Sequence, residues 1–427
     1  MSDSQLANGA PRAPSILRRL LGAQPVIFFV CLAAWTLTNM DQSLFGYAIP
    51  GILTEFELPL GTVGNVLAIS FLTSSVLIVF AGIAGDRWGR GVVLLVLLGS
   101  SALFVGLQGL AGGIYSLTIL RALGFGLSGG LSPITNAFVA ENAPPRYRGI
   151  AMGLLQCGYP LGWLIASLLA APLLETYGWR QVCFVGLLVL PMLLPLWYLL
   201  RRTGQLWSHG EHAQVATAPV YATARERLHA LFSARYRRSS LASMGMFLTF
   251  GGAYAGSVFF FPTYFTQAGG YTEAEAALLV GKSNGIAVFG YLAAAIIGEF
   301  LITRRNVYIT WCCGGALGLL MLLWYSTSPA QDLLWFSVTA ALFFGSNAVV
   351  AVFVAELFPR EIRATALAVC ASAPLSLGFA VFPALVPLVV ERLGWNLGLS
   401  LVVLPLLLSS ALMAALLPNR ASGLPVD

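Results

Sequence analysis

Three charged side chains, those of Asp41, Arg121 and Lys282, lie well inside long apolar stretches of the sequence. A charge at the centre of a bilayer costs roughly 2.5 to 3.5 kcal/mol on insertion scales, so such residues normally face a cavity or a charged partner. At a helical rise of about 1.5 Å per residue, Asp41 is about 24 Å from Pro25, and Arg121 and Lys282 are each about 10 Å below the opposite face. We therefore expect the three charges at similar depth.

Asp41 is the only carboxylate well inside an apolar stretch. A low-dielectric cavity disfavours the charged form of a carboxyl group, which favours a site that binds and releases a proton. Two structural alternatives stay open. Asp41 is a permanently ionised partner of Lys282 or Arg121, or Arg121 only donates hydrogen bonds to carbonyls of a broken neighbouring helix.

Lys282 is the single lysine among the 23 basic residues. As a compact cation with three donors, it suits either a substrate carboxylate or a carboxylate of the protein itself. An anion-binding role predicts that Lys282→Ala weakens binding of acids more than binding of neutral analogues. Equal losses would indicate a static ion pair.

Polar and aromatic residues recur at helical spacing around these charges. Amphipathic aromatic side chains that line a cavity can bind an organic acid through ring faces and hydroxyl groups, although packing explains any single one of them. Besides Lys282, the predicted substrate-binding residues are Thr38, Gln42, Gln156, Tyr159, Tyr254, Ser257 and Asn347.

Twelve apolar segments must position these side chains. The chain is 58% hydrophobic and 9% charged, so the bilayer must be its solvent. About 20 apolar residues cross a hydrocarbon core. The predicted spans are residues 25–50, 60–83, 91–111, 114–140, 149–173, 181–200, 240–266, 276–301, 307–327, 333–355, 364–390 and 396–417.

The basic residues fall on alternate loops, which the positive-inside rule places in the cytoplasm together with both termini. The net charge of +6 therefore reflects topology, and scattered arginines without a basic aromatic module do not favour nucleic-acid binding. The residues on this side are Arg12, Arg18, Arg19, Arg87, Arg90, Arg146, Arg148, Arg201, Arg202, the cluster from Arg225 to Arg238, Arg304, Arg305, Arg360, Arg363 and Arg420.

A polar connector divides the spans six and six. The predicted organisation is an N-terminal tail (1–24), a six-helix bundle (25–200), the cytoplasmic connector (201–239), a second six-helix bundle (240–417) and a C-terminal tail (418–427). The halves echo each other, because the Ala-Glu pair at 140–141 recurs 215 positions later at 355–356. Two parallel six-helix repeats around a cavity are an architecture of secondary transporters.

The loop from Gly85 to Arg90, with sequence GDRWGR, resembles the hallmark loop of the major facilitator superfamily. The stretch from Arg121 to Gly126, with sequence RALGFG, is similar to the second motif of that family, and the resemblance covers essentially the whole chain. It implies an all-α integral membrane fold with twelve transmembrane helices in two pseudo-symmetric six-helix bundles. It also implies that Arg121 assists proton coupling.

The hallmark loop is expected to act as a conformational latch, in which arginines pair with Glu141, Glu299 or Glu356 in one state only. The alternative is that these arginines merely set topology. The residues assigned to the latch are Asp86, Arg87, Arg90, Glu141, Arg148, Glu356 and Arg363.

Asp41, followed by Ala48, Pro50 and Glu55, resembles proton-linked organic-anion carriers of the sialate, anion/cation and aromatic-acid groups. The implied function is proton symport of a small carboxylate across the cytoplasmic membrane, by a monomer powered by the proton gradient without cofactor or metal. The six cysteines lack metal-ligand spacing and are expected to pack.

Proton-coupled drug efflux remains an alternative function. The family's antiporters often carry GPxxG in helix five, where this chain has YPLG at 159–162, so export is less favoured. A sensor is disfavoured because no sizeable soluble output domain is present. An enzyme is disfavoured because no HExxH, GxSxG or Walker-type motif occurs.

Overall fold

A computed structural model describes residues 21, 24–144, 147–207 and 223–419, apart from the side chains of residues 224 and 360. Nearly all of both predicted tails and the middle of the connector lie outside these residues, as do Arg12, Arg18, Arg19, Arg146 and Arg420. The described chain is helical throughout and contains no β-strand.

Twelve long helices, labelled α1 to α12, form two sets of six. The first set is α1 (Pro25–Glu55), α2 (Leu60–Trp88), α3 (Arg90–Leu110), α4 (Ile114–Asn142), α5 (Arg148–Thr176) and α6 (Trp179–Arg202). The second set is α7 (Arg237–Ala255 and Phe261–Gln267), α8 (Glu273–Phe300), α9 (Arg304–Tyr325), α10 (Pro329–Ala355), α11 (Glu361–Leu393) and α12 (Trp395–Ala415). A short helix, Ala224–Leu231, lies in the connector.

Ten of these helices are long and apolar enough to cross a membrane by length and composition alone. The other two are α1 and α7. Polar residues Asn39, Asp41 and Gln42 lower the hydropathy of α1, and residues 256–260 interrupt α7. Each exception therefore has its own local cause, which is the polar residues in α1 and the break in α7.

Several helices are interrupted where their sequences weaken the backbone ladder. The helix α5 turns at Cys157, just before Pro160, because proline cannot donate to the preceding turn. The helix α10 passes through a 3-10 turn at Phe344–Ser346, and α11 contains a π-helical stretch at Leu367–Ser372. All three interruptions lie within the membrane-spanning lengths.

The two sets meet mainly where α2 packs against α11 and α5 packs against α8. Small residues allow this close approach, as they do between membrane helices generally. A Cβ on Gly64 would lie 2.3 Å from the Pro383 carbonyl oxygen, and a Cβ on Gly281 would lie 1.6 Å from Ser167 Oγ. Backbone of one bundle thus rests directly on the other.

We call the ends that carry Arg90, Arg201 and Arg304 the basic face, and the opposite ends the acidic face. On the acidic face, the N–H of Gly61 at the start of α2 donates to Glu391 Oε1 at 2.9 Å. The second piece of α7 also contacts α1 there. On the basic face, a Cβ on Gly149 would lie 2.9 Å from Glu299 Oε2. At both faces, a carboxylate from the second bundle sits beside the start of a helix in the first, where the helix dipole favours negative charge.

Gly64→Val is expected to disrupt the α2–α11 contact, because its side chain would occupy the position of the Pro383 carbonyl. Overpacking costs typically about 1 to 3 kcal/mol. We expect a lower melting temperature in detergent and lower uptake by vesicles. Gly82→Val on the same helix is the matched control, since a Cβ there meets nothing within 4 Å. Equal behaviour of the two variants would contradict this account of the interface.

Candidate functional site

Asp41 and Arg121 lie inside the first bundle, and neither residue is accessible to solvent. Asp41 is on α1 and Arg121 on α4. They are close enough for electrostatic attraction. Even so, both carboxylate oxygens of Asp41 and two guanidinium nitrogens of Arg121 have no hydrogen-bond partner within the described part of the chain. Asp41 and Arg121 are thus neighbours that attract each other, but no hydrogen bond joins their side chains.

The Arg121 guanidinium lies against aromatic rings instead. Its central carbon is 4.3 Å from the ring centroid of Phe45, 4.7 Å from that of Phe125 and 5.4 Å from that of Phe259. Its one hydrogen bond is a long one, from Nη1 to the Gln42 carbonyl at 3.5 Å. A cation over aromatic faces gains roughly 0.5 to 2 kcal/mol. Because Phe259 lies in the break of α7, this arginine of the first bundle contacts the second.

A group of aromatic residues in mutual contact lies between the bundles. The Tyr159 ring on α5 lies 5.8 Å from Tyr254, 6.4 Å from Tyr291 and 6.3 Å from Phe344, which belong to α7, α8 and α10. The Tyr159 and Tyr291 rings are nearly parallel, at 22°. We call these four residues the aromatic centre. Every one of its pairs with Tyr159 joins the two bundles.

The aromatic centre holds polar atoms that its own residues do not satisfy. The hydroxyls of Tyr159 and Tyr291 are buried, and neither has a hydrogen bond of good geometry with described residues. The Tyr159 hydroxyl nevertheless lies close to that of Tyr254. Asn347 lies close to the Tyr291 hydroxyl, but its side-chain nitrogen donates at 3.1 Å to the Phe344 carbonyl of its own helix. A buried polar group without a partner costs about 1 to 3 kcal/mol. These hydroxyls are therefore available to a ligand.

A layer of large side chains separates the aromatic centre from the charged pair. Phe259 lies 6.1 Å from Phe125 and 5.9 Å from Trp163, measured between ring centroids. Trp163 in turn lies 6.1 Å from Tyr159. The charges and the central rings therefore occupy two neighbouring compartments rather than one cavity.

The remaining predicted binding residues are only partly free to bind. Gln42 donates to Ser128 Oγ at 2.8 Å, and the Ser257 hydroxyl donates at 2.7 Å to the Ala253 carbonyl of its own helix. The Thr38 hydroxyl is fully buried without a partner among the described residues. Gln156 is half-buried on the basic-face half of α5.

Lys282 does not join the other two charges. Its side chain is exposed on α8, on the same face as Ile286 and Phe289, which are exposed as well. Asn284 and Tyr291, on the opposite face of α8, are buried. Residues 282, 286 and 289 form the lipid-facing stripe, so the long lysine stem can extend along the helix to the membrane surface. Of the two partners that the sequence left open for Asp41, Lys282 forms no ion pair with it in the described part of the chain, because its side chain points outward.

The residues assigned to the latch form ion pairs within bundles. Arg90 pairs with Glu141 and lies 3.8 Å from Asp86, which is exposed, so this pair links α3 to α4. In the second bundle, the corresponding Arg304 pairs with Glu299 and Glu356. The Arg90–Glu141 and Arg304–Glu356 ion pairs therefore each join the start of the third helix of a bundle to the end of the fourth.

The other predicted latch residues make different contacts or are exposed. Arg363 donates to the Phe358 carbonyl at 3.1 and 3.2 Å. Arg87 and Arg148 have exposed side chains. Gly149, at the start of α5, brings the first bundle against the Arg304 ion pairs, since a Cβ there would lie 2.5 Å from Arg304 Nη2.

Two residues of the site were missed from the sequence. Tyr291 was overlooked because α8 is apolar on most faces, although it follows Asn284 by two helical turns. Gln108 could have been found from the sequence, because an amide side chain at the end of an apolar span needs a hydrogen-bond partner when it is buried. It is fully buried on α3 with neither side-chain atom bonded to a described residue.

Two six-helix bundles packed around a polar and aromatic centre define a membrane carrier. The model of the Major Facilitator Superfamily matches residues 31–353, and the chain belongs to that family. The predicted all-α, twelve-helix fold is thereby confirmed. The chain is a multi-pass membrane transporter rather than an enzyme.

Comparison with solved structures agrees with this fold. A bacterial homologue of the human lysosomal transporter Spinster, in an inward-facing and occupied conformation, has a TM-score of 0.65 at 16% identity. The match covers 91% of this chain and 95% of that one.

Among named relatives, a "Probable 4-methylmuconolactone transporter" of Cupriavidus pinatubonensis is 27% identical, over 83% of this chain and 81% of its own. A cis,cis-muconate transport protein of Acinetobacter baylyi is 27% identical, over 89% and 90%. A multidrug resistance protein, MdtG, of Proteus mirabilis is 39% identical, but over only 39% of this chain and 41% of its own.

Because Lys282 faces away from the centre, Lys282→Ala is expected to leave uptake of acids and of neutral analogues within about twofold of the unaltered protein, as for other outward-facing substitutions. Initial uptake rates in proteoliposomes measure this. A selective loss of acid uptake would restore the anion-binding role that the sequence suggested for this lysine.

Proposed function

We propose that the protein imports a small organic anion, a carboxylate metabolite, across the cytoplasmic membrane by alternating access with proton symport. Two relatives matched over more than four-fifths of this chain are named for cis,cis-muconate and 4-methylmuconolactone, which supports this substrate class. The observation that carries the coupling is the buried, unbonded Asp41 beside Arg121.

The basic face is the cytoplasmic face in this proposal, and both termini are cytoplasmic. The support comes from the distribution of arginines between alternate loops. The proton gradient is the energy source, no cofactor or metal is needed, and the working unit is a monomer.

Coupling follows from the two kinds of partner within reach of Arg121. An ionised Asp41 attracts the guanidinium strongly in a low-dielectric interior, whereas a protonated Asp41 leaves it to the rings of Phe45, Phe125 and Phe259. Phe259 belongs to the second bundle. Protonation of Asp41 thus changes a contact between the bundles. Alternating access requires the bundles to move relative to each other, and a change in this contact would favour that movement.

The aromatic centre is the proposed binding site for the anion. A conjugated or aromatic acid would stack on Tyr159, Tyr254 and Phe344, while the hydroxyls of Tyr159 and Tyr291 donate to its carboxylate. Since the centre combines residues of α5 with residues of α7, α8 and α10, a bound anion would hold the bundles together. Binding and bundle movement are thereby linked.

Drug efflux by proton antiport is the second candidate, supported by the partial match to the multidrug resistance protein. It shares the proton site but reverses the direction of substrate movement. Drug sensitivity of a deletion strain, compared with its growth on organic acids, separates the two functions.

Asp41→Asn is expected to abolish uptake of cis,cis-muconate driven by an inward proton gradient, while counterflow exchange stays measurable, because the amide is a permanent mimic of the protonated acid. Asp332→Asn at the acidic face is the matched control, where Asp332 only accepts a hydrogen bond from the Tyr271 hydroxyl at 2.6 Å. Proteoliposome assays against a panel of organic acids measure both activities. Unchanged gradient-driven uptake would remove Asp41 from this role.

Tyr159→Phe is expected to raise the KM for transported acids about 3- to 10-fold with little change in protein stability, because it deletes one donor worth about 0.5 to 1.5 kcal/mol. The matched control is Tyr177→Phe, because Tyr177 directly follows α5 and its side chain is exposed. If the two variants have the same KM, the Tyr159 hydroxyl does not contact the substrate.

A further inference from the structure

Unbonded polar atoms also line α3. The Ser101 hydroxyl and both side-chain atoms of Gln108 are buried, and none has a hydrogen-bond partner among the described residues. Neither residue is accessible to solvent. A glutamine amide can make up to four hydrogen bonds, so an unbonded one inside a bundle is unusual and indicates a missing partner such as water.

The close contacts of Gly186 place the polar face of α3 beside Asp41, the proposed proton site. A Cβ on Gly186 of α6 would lie 2.8 Å from a Val105 methyl and 3.3 Å from Asp41 Oδ1. Ser101 and Gln108 precede and follow Val105 by four and three residues, so all three share one helix face. This face of α3 therefore points to Asp41.

The register of α3 with its other neighbours brings Gln108 to the same depth. A Cβ on Gly124 of α4 would lie 3.5 Å from Val105 Cγ2. Because α3 and α4 are antiparallel, moving three residues along each brings Gln108 opposite Arg121. Gly109 of α3 packs against α6, since a Cβ on Gly109 would lie 3.0 Å from the Phe184 ring. Cys183 precedes Phe184 in α6 and therefore lies near this level too.

The charged group closest to Asp41 is Arg121 of α4, and Cys183 of α6 lies close to Arg121 and to Arg180. On α3, the polar side chains on the same face as Val105 are the neutral Ser101 and Gln108. Towards the molecular centre, Phe45, Phe125 and Phe259 cover the guanidinium.

Towards the acidic face, the end of α3 lies beside a group of polar side chains, Arg180, Trp179 and Glu55, which we call the cover. Arg180 Nη1 donates to the carbonyls of Gly109 and Ala111 at 3.0 and 2.8 Å, and Arg180 Nη2 pairs with Glu55 at 2.6 Å. Trp179 Nε1 also donates to Glu55 at 2.7 Å. The Arg180 and Glu55 side chains are 30% and 43% exposed, so water reaches the cover directly above Gln108.

We propose that Ser101 and Gln108 hold water inside the first bundle, and that this water carries protons from the acidic face to Asp41 without passing through the aromatic centre. The inference rests on the proposed proton symport. Gln108 stays neutral and only orients water; a proton entering as hydronium is passed along the water molecules and ends on the Asp41 carboxylate, which becomes a neutral acid. A bound water with two to four partners would also satisfy the unbonded amide.

Gln108→Leu tests the route through transport. We expect uptake of cis,cis-muconate driven by a proton gradient to fall about tenfold and its half-saturating proton concentration to rise, with counterflow exchange within about twofold, since only the water-ordering amide is lost. Gln108→Asn should restore part of the rate. Gln181→Leu, at an exposed glutamine of α6, is the matched control. Equal losses of uptake and exchange in Gln108→Leu would overturn the route.

Thiol labelling tests the water itself, independently of transport and of whether Gln108→Leu folds. In a variant that keeps only Cys183, methyl methanethiosulfonate added at the acidic face should modify the thiol at least about tenfold faster than in a variant that keeps only Cys312, because a thiol must reach water to react as thiolate. Both thiols are fully buried. Equal inertness would show a dry pocket and overturn the proposal. Failure of Asp41→Asn to affect uptake would instead reject proton symport.

Discussion

The burial of a carboxylate and a guanidinium inside a lipid-embedded helix bundle constrains the rest of this structure. Neither Asp41 nor Arg121 reaches solvent, and most of their side-chain polar atoms have no hydrogen-bond partner among the residues that the structure describes. A buried charge needs a partner, a hydration site or a change of protonation state, since bare ionisation in such surroundings is very costly. In this structure, aromatic rings surround the Arg121 guanidinium, and polar side chains of α3 offer a site for hydration.

The separation of charges from the aromatic centre gives the two bundles different tasks. The first bundle holds the titratable group, and the second supplies most of the rings that a substrate would contact. Phe259, in the break of α7, is the contact between these compartments. A break in the helix is what allows a side chain of the second bundle to reach the arginine of the first, because residues 256–260 leave the regular helical path.

The bundle interfaces combine close backbone packing with a few electrostatic contacts at their ends. Gly64 and Gly281 let helices touch, which gives extensive dispersion contact without interlocking large side chains. Glu391 accepts from the first turn of α2 on one face, and Glu299 lies beside the start of α5 on the other. Contacts of this kind can break and form again as rigid bundles rock, whereas the Arg90 and Arg304 ion pairs hold each bundle together internally.

The sequence by itself determined the number of spans, the sidedness of the arginines, the internal repeat and the family, because span length, charge distribution and motif spacing are one-dimensional properties. It also placed Asp41 and Arg121 at similar depth, since depth follows from helical rise. Only the tertiary structure decided which way each side chain points around its helix. A helix that is apolar on all sides carries no amphipathic stripe from which its inner face can be read. Lys282 therefore lies towards lipid although its depth matches that of Asp41, and Gln108 and Tyr291 point inward although no periodicity marks them.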